Sequence, residues 1–219
     1  MRRALAAAVL LVVLVAAAPA GGASSPRIAW RHSVPEGLWW AGRLRFGVQL
    51  PASGPDWFTW DPALNRKPDR GWRRWGTDRL VRTVLAVIAD YRAAHPGVPR
   101  VGIGDLSLRH GGPFGVQYGG LGHVSHQNGL DADVYYPRKD GLARRAYTPS
   151  QVDRRLAQDL VNRFVAAGAS TVYVGPDVHL HGKRGVVVPR LYHDDHLHVR
   201  LPLRAGGGDE GVQAPVGDG

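Results

Sequence analysis

Two short segments alternate apolar and polar residues with a period of two, and they constrain the chain more than anything else in it. Leu130-Asp131-Ala132-Asp133-Val134 sends Leu130, Ala132 and Val134 to one side and both carboxylates to the other, the pattern of a half-buried β-strand. His196, His198 and Arg200 alternate with Leu197, Val199 and Leu201 in the same way. The apolar faces have to pack into a core. The opposite faces, built of imidazoles, carboxylates and a guanidinium, call for a cation or a substrate rather than plain solvent.

If the two strands are neighbours, His126, which leaves a glycine-containing turn just before the first, joins Asp133 and His198 in a set of two histidines and one carboxylate. Three such ligands with a fourth position left to water make a known kind of catalytic zinc site. One zinc ion is therefore the expected cofactor. His123 stands in a His-x-x-His pair with His126 and is either an additional ligand or a neighbour of the ligands. Asp131 shares the face of Asp133 and can orient an imidazole. His193 and His196 complete the string His193-Asp194-Asp195-His196-Leu197-His198. His196 falls on the same strand face as His198, and His193 reaches the same cavity from a turn. Both are candidate catalytic proton carriers, with Asp194 and Asp195 expected to favour their protonated forms and the division of roles left open.

The string Gly122-His123-Val124-Ser125-His126-Gln127-Asn128-Gly129-Leu130-Asp131-Ala132-Asp133, followed by His-x-x-His-x-His, resembles the penicillin-insensitive murein endopeptidases. These are related to the D-Ala-D-Ala carboxypeptidases and dipeptidases and to lysostaphin-type zinc metallopeptidases. The likeness continues through Gly104-Asp105, Gly111-Gly112 and His198-Val199-Arg200-Leu201, and spans roughly residues 33 to 203. It implies zinc on His126, Asp133 and His198, with His193 and His196 beside it and Asp105 in a supporting role. Some relatives carry a further Asp and His for a second ion; Asp140-Gly141 is followed by no matching histidine, so one ion is expected here.

Arg2 and Arg3 precede a run of Ala, Val and Leu to Ala18, and Ala18-Pro19-Ala20 follows, the make-up of a secretory signal peptide over residues 1–23. The run is short of the roughly 20 apolar residues that a membrane-spanning helix needs. Without cysteine there is no lipid anchor, disulfide or cysteine nucleophile. After export the chain has 26 Lys and Arg against 18 Asp and Glu, a formal +8. Such a charge draws a secreted protein to anionic wall polymers and stem-peptide carboxylates. The arginines are scattered and form no nucleic-acid motif. A periplasmic or extracellular location at the wall is expected, with peptidoglycan as partner and the oligomeric state open.

The scaffold is legible in part. Leu44, Phe46, Val48 and Leu50 alternate with polar neighbours as one early strand. All seven tryptophans lie between Trp30 and Trp75 in a loop-rich stretch, where they are expected to staple a loop to the core, the alternative being an aromatic wall for a glycan or peptide substrate. Thr77 caps a helix with the stripe Leu80, Val81, Val84, Leu85, Ile88 and Tyr91, which Pro96-Gly97 ends. Val101-Gly102-Ile103-Gly104-Asp105 reads as a short buried strand running into a glycine-rich loop that includes Gly119 and Gly120. Thr148-Pro149-Ser150-Gln151 combines a capping box with proline at the first helical position, ahead of the stripe Leu156, Leu160, Val161, Phe164 and Val165. Thr171–Val174 and Gly185–Val188 read as strands, and 205–219 as a disordered tail.

Strands before, between and after two helices imply a single α+β domain over 24–204, its mostly antiparallel sheet packed by helices. The resemblance implies the same fold with the metal on the sheet's open face. Of the other histidines, His32, His95 and His110 stand alone, and His179-Leu180-His181 lacks the alternation and precedes Lys183-Arg184. Ser125 has no Gly-x-Ser-x-Gly setting and is not expected to be a nucleophile. The implied activity is zinc-dependent hydrolysis of D-alanyl to diaminopimelate cross-links. A D-Ala-D-Ala carboxypeptidase or dipeptidase with the same ligands, or a non-catalytic zinc-containing wall-binding module, are the alternatives.

Overall fold

In a computed structural model that describes residues 26–115 and 122–204, six strands form one mixed, mostly antiparallel sheet. The signal peptide, Gly119 and Gly120, and the 205–219 tail lie outside the described residues. The elements in chain order are β1 (Val34–Leu38), β2 (Ala41–Arg45), β3 (Val48–Gln49), β4 (Trp57–Thr59), β5 (Trp75–Gly76), α1 (Asp78–Ala94), β6 (Val101–Ile103), β7 (Asp131–Tyr135), α2 (Arg154–Ala166), β8 (Thr171–Val174), β9 (Val187–Pro189) and β10 (His196–Arg200). The large sheet runs β4-β6-β7-β10-β8-β9, with parallel pairs only at its two edges, β4 with β6 and β8 with β9. β1 and β2 form a separate hairpin, and β3 pairs with β5.

One face of this sheet is all apolar. Ile103, Ala132, Val134, Val172, Val174, Leu197 and Val199 join Leu80, Val84 and Ile88 of α1 and Leu160, Val161 and Phe164 of α2 in one core. Full burial of each large aliphatic side chain contributes roughly 1.5–3 kcal/mol, so this layer dominates the stability of the domain. Both helices are therefore spent on a single face, and the opposite face is left to side chains of a different kind.

α1 starts as expected, with the Thr77 hydroxyl accepting from the Leu80 N–H at 3.0 Å. α2 does not. Pro149–Gln151 form only a 3-10 turn, Val152 is extended and buried, and the helix begins at Arg154 under an Asp153 cap. Gln151 does not close a capping box, because its side-chain oxygen accepts from Arg138 and from the Tyr147 N–H instead. The early strand is also broken. Leu44, Val48 and Leu50 are buried, but Phe46 adopts a φ of 55° and points outward, dividing β2 from β3. The tryptophan-rich stretch contributes β4, whose outer edge is covered by residues 52–54, and Trp57 and Trp60 are buried. Gly102 lies where any Cβ would meet Phe58 at 2.9 Å, and its lack of a side chain lets Phe58 and Tyr135 close together on the open face. Among the described residues, no helix is long and apolar enough to cross a membrane.

Candidate metal centre

The register of β7 against β10 sets Asp133 opposite His198, Asp131 opposite Arg200 and Tyr135 opposite His196. Directly opposed residues share a face, so the polar halves of both alternating segments meet on the side away from the helices. β8 extends the row by placing Tyr173 opposite His198 on its other flank.

His126 enters from the loop before β7 with a φ of 70°, a left-handed conformation that is uncommon for a side chain this large. Its backbone is held there by the Ser107 hydroxyl, which donates to its carbonyl. Its ring is held by Nδ1–H donating to the Leu106 carbonyl. That bond leaves Nε2 as the bare nitrogen. Nε2 is buried, has no hydrogen-bond partner and faces Asp133 Oδ1 at 3.4 Å. The same carboxylate oxygen lies 3.1 Å from His198 Nδ1 and 3.6 Å from His196 Nε2. An unpartnered buried lone pair pointing at a carboxylate is costly unless a cation sits between them.

Around this point the expected residues come together. His123, His126 and Asp133 bring one donor atom each within 4.8 Å of one another, a group that can hold a metal ion. His198 approaches the same carboxylate from β10. His123 Nε2 is 3.9 Å from Asp133 Oδ2 but 2.7 Å from Asp105 Oδ2, to which it is hydrogen-bonded. Asp105 is fully buried and gripped by both Arg73 Nε and Nη2. Its carbonyl accepts from the Asp133 N–H at 2.9 Å. Asp131 Oδ1 accepts from His198 Nε2 and from Arg200 Nε, both at 2.7 Å.

The electrostatics of the cluster are uneven. Burial opposes ionisation of Asp133, but the imidazoles gathered around it, charged His196 among them, outweigh it and hold its carboxyl well below the ordinary range. For His196 burial works against the charge, and the Asp133 carboxylate and the Asp195 hydrogen bond together lift it to about 9. Asp195 accepts from His196 Nδ1 at 2.6 Å and is itself held by Arg145 at 3.0 Å. His193 goes the other way. Burial, with His196 and His198 nearby, pushes it down to about 3. Its Nδ1–H donates to the Leu191 carbonyl at 2.7 Å, and its ring lies 4.9 Å from that of His196. The expectation that Asp194 and Asp195 both favour protonated imidazoles is thus corrected. Asp195 serves His196, whereas Asp194 Oδ1 packs against Gly175 without a hydrogen-bond partner.

Several contributors were not visible in the sequence: Arg73, which clamps Asp105; Arg145, which holds Asp195; and Phe114, whose ring lies against both His123 and His126. Arg73 and Arg145 reach the site from distant parts of the chain, so no local spacing marks them, and Phe114 is set there by its bridge to His123. His179 and His181 take no part, since His179 ends a 3-10 turn in a left-handed conformation and the His181 backbone bonds Gln158 on α2. His95 pairs with Asp159 at the end of α1, and both Asp140 oxygens are engaged by Arg138.

The family model described as penicillin-insensitive murein endopeptidase matches residues 36–173, well over half of the chain. The match takes in Asp105, His123, His126, Asp131 and Asp133, and stops short of the His193–His198 segment. No curated protein matches the chain.

Proposed function

From the membership of this chain in the penicillin-insensitive murein endopeptidase family, we propose that it is a zinc-dependent peptidase that hydrolyses the D-alanyl to diaminopimelate cross-links of peptidoglycan. The observation that carries the metal is His126 Nε2, a buried nitrogen without a partner, converging with His198 Nδ1 on one oxygen of Asp133. His126, Asp133 and His198 are the proposed ligands, and one ion is proposed. His123 is placed beside them, because its nearer nitrogen is engaged by Asp105, which Arg73 anchors. A bound zinc ion supplies a Lewis-acid centre that activates water and polarises a carbonyl.

The chain's own groups divide the proton work. With Nδ1–H given to the Leu191 carbonyl, His193 keeps Nε2 bare and able to accept a proton from the attacking water. His196 is fixed by Asp195 and carries its charge toward Asp133, where it stabilises negative charge developing on the substrate and can protonate the leaving amine. A cation on Asp133 would offset part of that carboxylate's pull and bring His196 closer to neutral pH, the range in which a general acid works best. Both histidines are proposed as catalytic. Asp131 and Asp105 orient the imidazoles of His198 and His123.

Residues 1–23 are proposed to direct export and 24–204 to form the peptidase domain, with 205–219 a glycine-rich tail. The formal +8 of the exported chain favours the anionic wall as its place of action. The test incubates the zinc-loaded protein with purified cross-linked muropeptide dimers and identifies products by mass. Monomers should appear, with penicillin present or absent, and a chelator should abolish them. Intact dimers alongside pentapeptides that lose a terminal D-Ala would establish a carboxypeptidase instead. Binding to sacculi without any cleavage would point to a non-catalytic wall-binding module.

A further inference from the structure

Arg200 is only 4 % exposed, although it stands on the open face of the sheet. Its cover is Trp39, from the turn between β1 and β2, whose ring centroid lies 3.9 Å from the guanidinium carbon. A desolvated guanidinium on an indole face is held more firmly than an exposed one. The turn is in turn tied to the loop that carries His126, because the Gln127 N–H donates to the Trp39 carbonyl at 3.1 Å. The small hairpin thus reaches the metal centre without supplying any ligand to it.

Beneath Trp39 the contacts close a triangle, since Arg200 Nη2 also lies 3.5 Å from His198 Nε2, too long to compete with the shorter bonds that both groups make to Asp131. Arg200 Nε donates to Asp131 Oδ1, and His198 Nε2 meets the same oxygen at the same 2.7 Å. Asp131 Oδ2 is buried with no hydrogen-bond partner, so these Oδ1 contacts set the carboxylate's orientation. An ionised carboxylate can only accept, so a nitrogen bonded to it must carry a proton. His198 Nε2 therefore carries a proton, and Nδ1, which meets Asp133 Oδ1 at the longer 3.1 Å, is the nitrogen whose lone pair a cation shared with Asp133 would take in place of a proton.

We propose that Trp39 and Arg200 are positioning residues: Trp39 holds Arg200, Arg200 aims Asp131, and Asp131 keeps the proton on His198 Nε2 so that Nδ1 faces the cation. This inference rests on the metal reading given above. It assigns the hairpin a function in the centre, where packing alone would make Trp39 a cover for the sheet.

The test uses the full-length protein stripped of metal. Zinc affinity is read by competition with a chromophoric chelator, and the protonation of the His198 ring by long-range proton–nitrogen NMR. Trp39→Leu should bind zinc on the order of 10-fold more weakly or worse, as expected when a group supporting a ligand is lost, and its Nε2 proton should exchange faster with water. Trp39→Phe should recover most of both. Arg200→Lys keeps the charge but loses the flat stack and the Nε–H bond, and should move both readouts the same way as Trp39→Leu. A folded Trp39→Leu protein that binds zinc as tightly as wild type, with its Nε2 proton unchanged, would overturn the proposal. So would a wild-type His198 whose Nε2 carries no proton. If wild type binds no zinc at all, the peptidase reading fails, while the ring NMR still decides the relay.

Discussion

His198 stands directly opposite Asp133 across the β7–β10 ladder, its Nδ1 3.1 Å from Oδ1. Because side chains alternate along a strand, the geometry of the centre is a property of strand register. A slip of one residue would bring Leu197 or Val199 to that place and turn the histidines toward the apolar core. The apolar halves of the two strands, packed on α1 and α2, hold the register that the polar halves need.

Two sets of three meet at Asp133, and substitution separates them. His126→Ala, Asp133→Ala and His198→Ala should each weaken zinc binding by more than the roughly 10- to 100-fold typical of groups that only support a ligand. His123→Ala should fall within that range or below it. Elemental analysis and chelator competition on purified proteins check this, and full zinc occupancy in His198→Ala would remove His198 from the set.

His193→Ala and His196→Ala should retain zinc and lose on the order of 100-fold or more in cleavage of muropeptide dimers, the usual contribution of a general acid or base. A zinc-loaded variant that cleaves nearly as fast as wild type would demote that histidine to a scaffold role.

Asp69 offers a test of stability against pH. Burial, with Asp105 and Asp61 close by and Arg73 only partly opposing, raises its carboxyl to about 8. Its Oδ2 is buried without a hydrogen-bond partner. A carboxyl raised on folding favours the unfolded chain increasingly as pH climbs from the ordinary 3.8 toward about 8. Asp69→Asn should therefore stabilise the protein by about 1–3 kcal/mol at pH 8, the cost of a poorly satisfied buried polar group, and by little at acid pH. Denaturant titrations at both pH values check the sign, and an equal effect at the two would contradict the assignment.

Gly111 has a φ of 65°, and a Cβ there would come within 2.1 Å of the Gln127 carbonyl oxygen. It lies where β2 meets the loop before β7, bridged to Arg43. Gly111→Ala should cost more than about 1 kcal/mol from the left-handed backbone alone. It should also weaken zinc binding by displacing the His126 loop. Thermal unfolding and chelator competition together measure both effects, and an unchanged zinc affinity in the destabilised variant would uncouple this contact from the centre.

Much of this molecule is written in local patterns. The alternation at Leu130–Val134 and His196–Leu201 already separates a core face from a polar face. Thr77 and the stripe of α1 are equally plain, because capping and amphipathicity act within a few residues. The start of α2 departs from its local signal because Thr148-Pro149-Ser150-Gln151 satisfies a local rule that Arg138 overrides by occupying Gln151. β4 shows no alternation, since Trp57, Phe58 and Thr59 are all buried and neither face is left to solvent.

Sequence alone determined which polar residues of the two alternating segments share a face, since periodicity of two is a consequence of backbone geometry. Only the tertiary structure decided how those residues meet. Strand order brought β10 beside β7, leaving His123 to Asp105 and His198 to Asp131 and Asp133. Arg73 reached Asp105, Arg145 reached Asp195 and Trp39 reached Arg200 across long stretches of chain. Pairings of that kind depend on which surfaces pack together, and packing is settled by the whole core at once rather than by any local run of residues.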